Sequence, residues 1–214
     1  LRGLKLFITL EGIEGCGKST QARRLADRLK HLKIPVTLTF EPGGTRIGQD
    51  IRGILLNTGN LGLSSLAELL LYAADRAQHI AEIIRPSLSS GKWVISDRFF
   101  DATLAYQGYA RNQDISLIND LNQRACLGIR PDKTFLIDCP VEIGLERAFR
   151  RNRELKQEGQ ARFEREKVAF HESVRKGYLM IAGQEPERFV IIDGSLNEED
   201  QEALIFEHIR PFIP

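Results

Sequence analysis

Residues 12–20 read Gly-Ile-Glu-Gly-Cys-Gly-Lys-Ser-Thr and hold the spacing G-x-x-x-x-G-K-[ST], a turn suited to holding phosphate. Gly12, Gly15 and Gly17 let the backbone close around an anion with its N–H groups turned inward. The start of the following helix adds partial positive charge. Lys18 brings a point charge to the outer phosphates, and the Ser19 hydroxyl is a hard oxygen ligand for Mg²⁺. Such turns serve hydrolases, motors, switches and kinases, so this one specifies a polyphosphate and leaves the reaction open.

Three further groupings bear on the reaction. Asp97-Arg98 directly follows the apolar run Trp93–Ser96. Ligands gather at the C-terminal edge of such sheets. There Asp97 could hold Mg²⁺ or its water, and Arg98 could clamp an anionic second substrate through its planar fork. By themselves the two residues also fit a surface ion pair. Tyr72 and Arg76 stand four apart and project side by side from a helix. A ring that stacks beside a guanidinium that donates suits a pyrimidine with a carbonyl at its 4-position. The alternative is a core aromatic beside an exposed arginine. Finally, no basic residue lies between Gly12 and Gly17. Phosphoryl transfer needs cations beyond Lys18 and a metal. Arg147, Arg150, Arg151, Arg153 and Arg162 crowd one later stretch and could supply one from a lid that also excludes water.

The elements that position these groups alternate between strand and helix. Apolar runs at Leu4–Glu11, Val36–Phe40, Trp93–Ser96, Thr134–Asp138 and Phe189–Ile192 predict five strands. Their near-continuous apolar character implies a parallel sheet covered on both faces, an α/β fold. Between them, Ala22, Leu25, Ala26, Leu29 and Leu32 form one helical stripe, ended before Pro35. Ser65 with Glu68 has capping-box spacing for a helix running to Arg85 and stopped by Pro86. Ile115–Leu127 predicts a helix ending at Gly128, another starts at Val141, and the stripe Phe163, Lys167, Phe170, Val174, Tyr178 and Ile181 marks a long one. Asn197 caps the last helix, through Glu198, Glu199 and Asp200. Residues 41–64 and 147–162 carry no strong period, as inserted functional excursions do.

Composition sets the outer bounds. The 214 residues fit one domain, and 30 basic against 29 acidic side chains leave a net charge of +1. That balance argues against a broad grip on a nucleic acid polymer or an acidic membrane. No apolar run is long enough to span a bilayer, and no signal-peptide pattern precedes the first strand. Cys16, Cys126 and Cys139 show neither paired nor metal-ligand spacing, which fits a reducing, cytoplasmic setting.

Taken together these motifs resemble bacterial thymidylate kinases, nearly from end to end. The resemblance rests on GIEGCGKST (12–20), EPGGT (41–45), LLLYAADRAQH (69–79), DRFFDATLAYQG (97–108), ARFERE (161–166) and IDG (192–194). It implies a single P-loop kinase domain over 1–214, a five-stranded parallel sheet with helices on both faces. A monophosphate-binding region (41–86) and a lid (147–166) would be inserted in it. It further implies transfer from ATP, with Mg²⁺, to dTMP, and a homodimer. Gly12 to Thr20 would hold ATP, with Glu14 near metal and acceptor, and Ser19 and Asp97 at the metal. Arg98 would clamp the dTMP phosphate, Tyr72 would stack on thymine and Arg76 would donate to its carbonyl. Pro42, Thr103, Tyr106 and Gln107 would line the acceptor, and Arg162 would be the lid's catalytic arginine, beside Lys18, Arg98 and Glu14. The chain departs from the family pattern at Phe40 (commonly Arg), Ala102 (often Ser) and Ala161 (usually Asp), and Tyr72 stands for Phe. Two other readings compete: a kinase for another acceptor, such as dUMP or a deoxynucleoside, and a nucleotide-binding switch with no acceptor site.

Overall fold

The computed structural model describes residues 5–60, 62–155, 159 and 161–213. Five strands, β1 (Phe7–Glu11), β2 (Val36–Phe40), β3 (Trp93–Asp97), β4 (Lys133–Asp138) and β5 (Phe189–Asp193), form one sheet in the order β2-β3-β1-β4-β5. Every pairing is parallel: Ile8 lies opposite Ile95 on one side and Lys133 on the other. The central strand β1 is buried throughout, as its unbroken apolar run requires. Alternation of side chains splits the core: Phe7 and Val94 cluster with Ile80 and Ile84, whereas Ile8, Leu10 and Ile95 cluster with Leu25 and Leu29. The start of the predicted first strand, at Leu4, lies outside the described residues, as do 156–158 and 160 of the expected lid.

The helices are α1 (Lys18–His31), α2 (Arg46–Leu56), α3 (Ser65–His79), α4 (Arg85–Ser89), α5 (Phe100–Thr103), α6 (Ile115–Cys126), α7 (Val141–Glu154), α8 (Val168–Gln184) and α9 (Glu198–Ile209). Asn197 caps α9 as expected, accepting from Asp200 N at 2.8 Å. Leu127 and Gly128 enter the left-handed region (φ 49° and 80°) and end α6.

Four expectations change. The stretch 41–64 contains α2, capped by Thr45, whose hydroxyl accepts from Gly48 N. The cap of α3 is Ser64, accepting from Ala67 N, and Glu68 is turned inward and buried. Pro86 does not stop the helix. A π-helical turn over Ile80–Ile84 resets the spacing, and Pro86 falls in the first turn of α4, where its missing N–H is harmless. Finally, α7 continues to Glu154 through the arginine-rich stretch, while α8 begins only at Val168, with Phe163 buried in the turns before it. A second π-helical turn, Leu104–Ala110, packs on α8 and carries Tyr106 and Gln107.

Candidate active site

A cleft of about 600 Å³ opens at the C-terminal edge of the sheet. Of the residues expected there, Glu14, Gly15, Lys18, Ser19, Pro42, Tyr72, Arg76, Asp97, Arg98, Thr103, Tyr106 and Gln107 line it. The volume is that of an ordinary small-molecule site.

The glycine-rich turn expected to bind phosphate forms one end of the cleft. Gly12 (φ 138°) and Gly15 (φ 68°) lie in the left-handed half of backbone space. A Cβ on Gly12 would stand 2.5 Å from the Ile137 carbonyl oxygen, and one on Gly15 would run into the Gly144 carbonyl of α7. The spacing of the glycines thus reflects close packing as well as anion binding. Ile13 and Cys16 face the core beneath the turn, Gly17 leads into α1, and Thr20 is half-buried in its first turn. Lys18 lies across the turn, donating to Ile13 O at 2.6 Å.

Ser19 Oγ donates to Asp97 Oδ2, so the two oxygens proposed for a metal are already in contact. Among the described residues no group of three or more His, Cys, Asp or Glu side chains could hold a metal. A hydroxyl and one carboxylate nonetheless fit Mg²⁺, a hard cation that keeps water and takes most of its ligands from substrate phosphates.

Arg98 connects the turn to Tyr106, in the cleft wall, and to Tyr178. Its backbone is left-handed (φ 72°), a conformation costing a non-glycine residue about 1–2 kcal/mol. The strain is held by Arg98 N donating to Leu10 O and by Ser96 Oγ donating to Arg98 O at 2.7 Å. Its Nη1 donates to Gly12 O and Tyr178 Oη, both at 3.0 Å, and its Nη2 to Tyr106 Oη at 3.0 Å and Glu14 Oε1 at 3.2 Å. Burial alone would raise the Glu14 carboxyl, but His171, Arg98 and Lys18 beside it hold it well below the usual carboxylate range. His171 Nδ1 lies 3.2 Å from Glu14 Oε2, and Tyr106 Oη donates to Oε1 at 2.5 Å. Glu14 is thus a fixed negative charge that orients Arg98, and too weak a base to take a proton at neutral pH. Behind it Glu11 accepts from Tyr178 Oη and Phe99 N, both at 2.7 Å, and burial pushes its carboxyl up.

Tyr72 and Arg76 also line the cleft, and Arg76 is not the exposed arginine of the alternative reading. It is 1% exposed. Nε donates to Glu41 Oε2 at 2.9 Å, Nη1 to Asn122 Oδ1 at 2.7 Å, and Nη2 to Thr103 Oγ1 at 2.9 Å and Phe99 O at 3.3 Å. Glu41 also pairs with His79 Nδ1 at 2.8 Å. Thr103 therefore acts on the cleft partly through Arg76. Burial raises the Tyr72 hydroxyl pKa, so the phenol is neutral.

Arg162 does not line the cleft. Its Nε donates to Leu55 O at the end of α2, its Nη2 to Glu68 Oε2 at 2.6 Å, and its guanidinium lies 4.6 Å from the Phe163 ring. Glu68 also accepts from Gln107 Nε2 at 2.8 Å and Arg111 Nε at 3.3 Å. From the segment expected to form a lid, Arg151, Asn152, Leu155, Phe163 and Glu164 line the cleft, of which Arg151 belongs to the arginine stretch singled out above. Arg52, like Arg23, is a cation of the cleft that sequence reasoning passed over. It donates to Pro42 O at 2.8 Å and lines the cleft, and burial pushes its pKa down. The repeat Ile47, Ile51, Ile54, Leu55 was the available signal for the helix that presents it.

Comparison with known proteins gives a consistent result. The family model described as thymidylate kinase matches residues 10–205. The thymidylate kinase of Geobacter sp. (strain M21) is 51% identical over 204 residues, covering 95% of this chain and 91% of its own. That of Geobacter sulfurreducens is 54% identical over 189 residues, covering 88% and 89%. The crystal structure of thymidylate kinase from Ehrlichia chaffeensis superposes with a TM-score of 0.76 at 35% identity, covering 96% of this chain and 98% of that one.

Proposed function

The chain belongs to the thymidylate kinase family and phosphorylates dTMP to dTDP with ATP, and we propose that the cleft divides this work between a donor end at Lys18 and an acceptor end at Arg98, Tyr72 and Arg76. The observation that carries the division is their arrangement in one cleft, with Arg98 hydrogen-bonded to Gly12 O of the phosphate-binding turn.

In this reading the backbone of 12–20 and Lys18 hold the ATP phosphates, and Arg98, with Arg52 across the cleft, holds the dTMP phosphate. Tyr72 stacks on the base and Arg76 donates to its 4-carbonyl. The attacking phosphate oxygen is already anionic, so the site needs position and positive charge more than a general base. The depressed Glu14 carboxyl agrees with that requirement. Mg²⁺, at Ser19 and Asp97, would neutralise charge on the transferred group. Arg162 and Arg151 stand at the lid end as further cations. A 4-carbonyl is common to thymine and uracil, and the methyl group separating them is worth about 1–3 kcal/mol of discrimination.

We also read the protein as a cytoplasmic homodimer. The contiguous helices α2, α3 and α6 leave Ile54, Leu66, Leu70 and Leu117 at least 40% exposed, an apolar face suited to a second copy. The three buried, unpaired cysteines suit a reducing compartment. No described helix is long and apolar enough to cross a membrane. Sedimentation at micromolar concentration tests the dimer, and a monomer would reject it.

The deciding assay is coupled ADP release across dTMP, dUMP, dCMP, dGMP, UMP and AMP. dTMP gives the highest kcat/KM, and ADP appears only when an acceptor is present. ADP release without acceptor would return the switch or hydrolase reading. Lys18→Ala and Arg98→Ala each lower kcat/KM about 10²–10³-fold. Near-unchanged kinetics in either removes that residue from its role.

A further inference from the structure

Arg76 makes four hydrogen bonds with a guanidinium that carries five N–H groups. Nε is committed to Glu41, and Nη2 is committed twice, to Thr103 and Phe99. The uncommitted N–H therefore belongs to Nη1, whose other N–H is held by Asn122 Oδ1 at 2.7 Å. The two hydrogens of one guanidinium nitrogen lie in a fixed plane at a fixed angle. Holding one of them aims the other.

Asn122 stands on α6, outside every motif that marks the cleft, and is itself buried. Arginine can only donate, so the Asn122 carbonyl must face it. The amide Nδ2 is then left buried without a partner among the described residues. An apolar side chain of this size would avoid that desolvation cost. The acceptor is what this position supplies, in return for an unsatisfied donor.

We propose that Asn122 is a positioning residue for base selectivity, acting through the Nη1 group of Arg76. It fixes the remaining N–H as a single rigid donor. Such a donor accepts a carbonyl at the pyrimidine 4-position and opposes the amino group that cytosine presents there. If Asn122 is removed, Arg76 keeps Glu41, Thr103 and Phe99 along its Nε–Nη2 edge, but the Nη1 side loses its hydrogen bond and the rigid planar guanidinium can swing as a unit about that edge. The inference rests on the reading of Arg76 as the donor to the base.

The test compares kcat/KM for dTMP and dCMP in Asn122→Leu, Asn122→Asp and Arg76→Lys, with the KM for ATP and the melting temperature measured for each. Asn122→Leu is expected to lower the dTMP-over-dCMP preference at least tenfold while the KM for ATP stays within twofold. Asn122→Asp keeps the acceptor, removes the orphan donor, and retains the preference to within threefold. If Asn122→Leu does not fold, Asn122→Ala carries the same readout. A lower melting temperature with an unchanged preference overturns the proposal, because it marks a purely structural role. Loss of preference in Asn122→Asp equal to that in Asn122→Leu also overturns it. Should Arg76→Lys leave the preference intact, the reading of Arg76 itself fails. Should Arg76→Lys abolish the preference and the Asn122 variants keep it, only the role of Asn122 fails.

Discussion

Arg76 and Arg162 occupy opposite ends of the same helix, one as a residue of α3 and the other docked on its first turn. Both are buried and each meets a buried glutamate, Glu41 at the base end and Glu68 at the lid end. They differ in how much of the fold depends on them. Arg76 joins β2's end, α5 and α6 through four hydrogen bonds. Arg162 makes two, and Glu68 keeps Gln107 and Arg111 whether or not Arg162 is there. A guanidinium with nearly every donor committed is held in one pose. One with most of its donors uncommitted among the described residues can change partners at lower cost.

The largest effect that would break this comparison is in stability. Arg76→Ala removes the partner of Asn122, Thr103 and Phe99 O and half the pairing of Glu41. It should cost about 3–5 kcal/mol, read as a fall in the denaturant midpoint. If Arg162→Ala costs as much, the two ends are equally committed and the contrast is wrong. A second test sharpens the base end. Asp75 Oδ1 accepts from Gly43 N at 3.0 Å, Oδ2 has no partner among the described residues, and burial, with Glu41 nearby, raises the carboxyl from 3.8 to about 6. Between those values the folded chain keeps a proton that the unfolded chain has released, so stability falls as pH rises through that window. Asp75→Asn keeps the acceptor for Gly43 and should stabilise the protein at pH 7 by roughly 1–3 kcal/mol, with a flatter dependence of melting temperature on pH. An unchanged pH profile would place that titration elsewhere. The smallest effect belongs to the lid end. Arg162→Ala is expected to cost about 1–2 kcal/mol of stability. It should lower turnover by more than it raises the KM for dTMP. The reverse pattern would make Arg162 a binding residue.

The same contrast describes what could be read from the sequence. The phosphate turn was legible because its chemistry is local: nine consecutive residues carry the glycines, the lysine and the hydroxyl. The inner strands β1, β3 and β4 were legible because burial on both faces leaves near-continuous apolar runs, whereas the partly exposed edge strands β2 and β5 showed as short runs rich in β-branched and aromatic residues. Helix α2 was hidden by Gly48 and Gly53 within it and by an apolar repeat that does not mark one buried face, since Ile47 and Ile54 stay exposed. Glu68 was misplaced by one step in the cap. With Ser64 as the cap it moves past the box position and points inward, toward partners 39 to 94 residues away along the chain. Pro86 read as a terminator because nothing local announces a π-helical turn. The seating of Arg162 and the hold of Asn122 on Arg76 depend on contacts that no spacing rule encodes.

The strand order has a consequence for how the protein is made. Strand β1, which leads into the phosphate turn, pairs with residues 94–97 on one side and 133–136 on the other. A nascent chain that has not yet passed β4 offers β1 at most one neighbour, and β2 only reaches the sheet through β3. Parallel pairings at this separation form slowly. The nucleotide site is thus encoded early along the chain and assembled late. ATP in the surrounding medium can stabilise the finished fold, but it has no preformed turn with which to hold a ribosome-bound fragment on course.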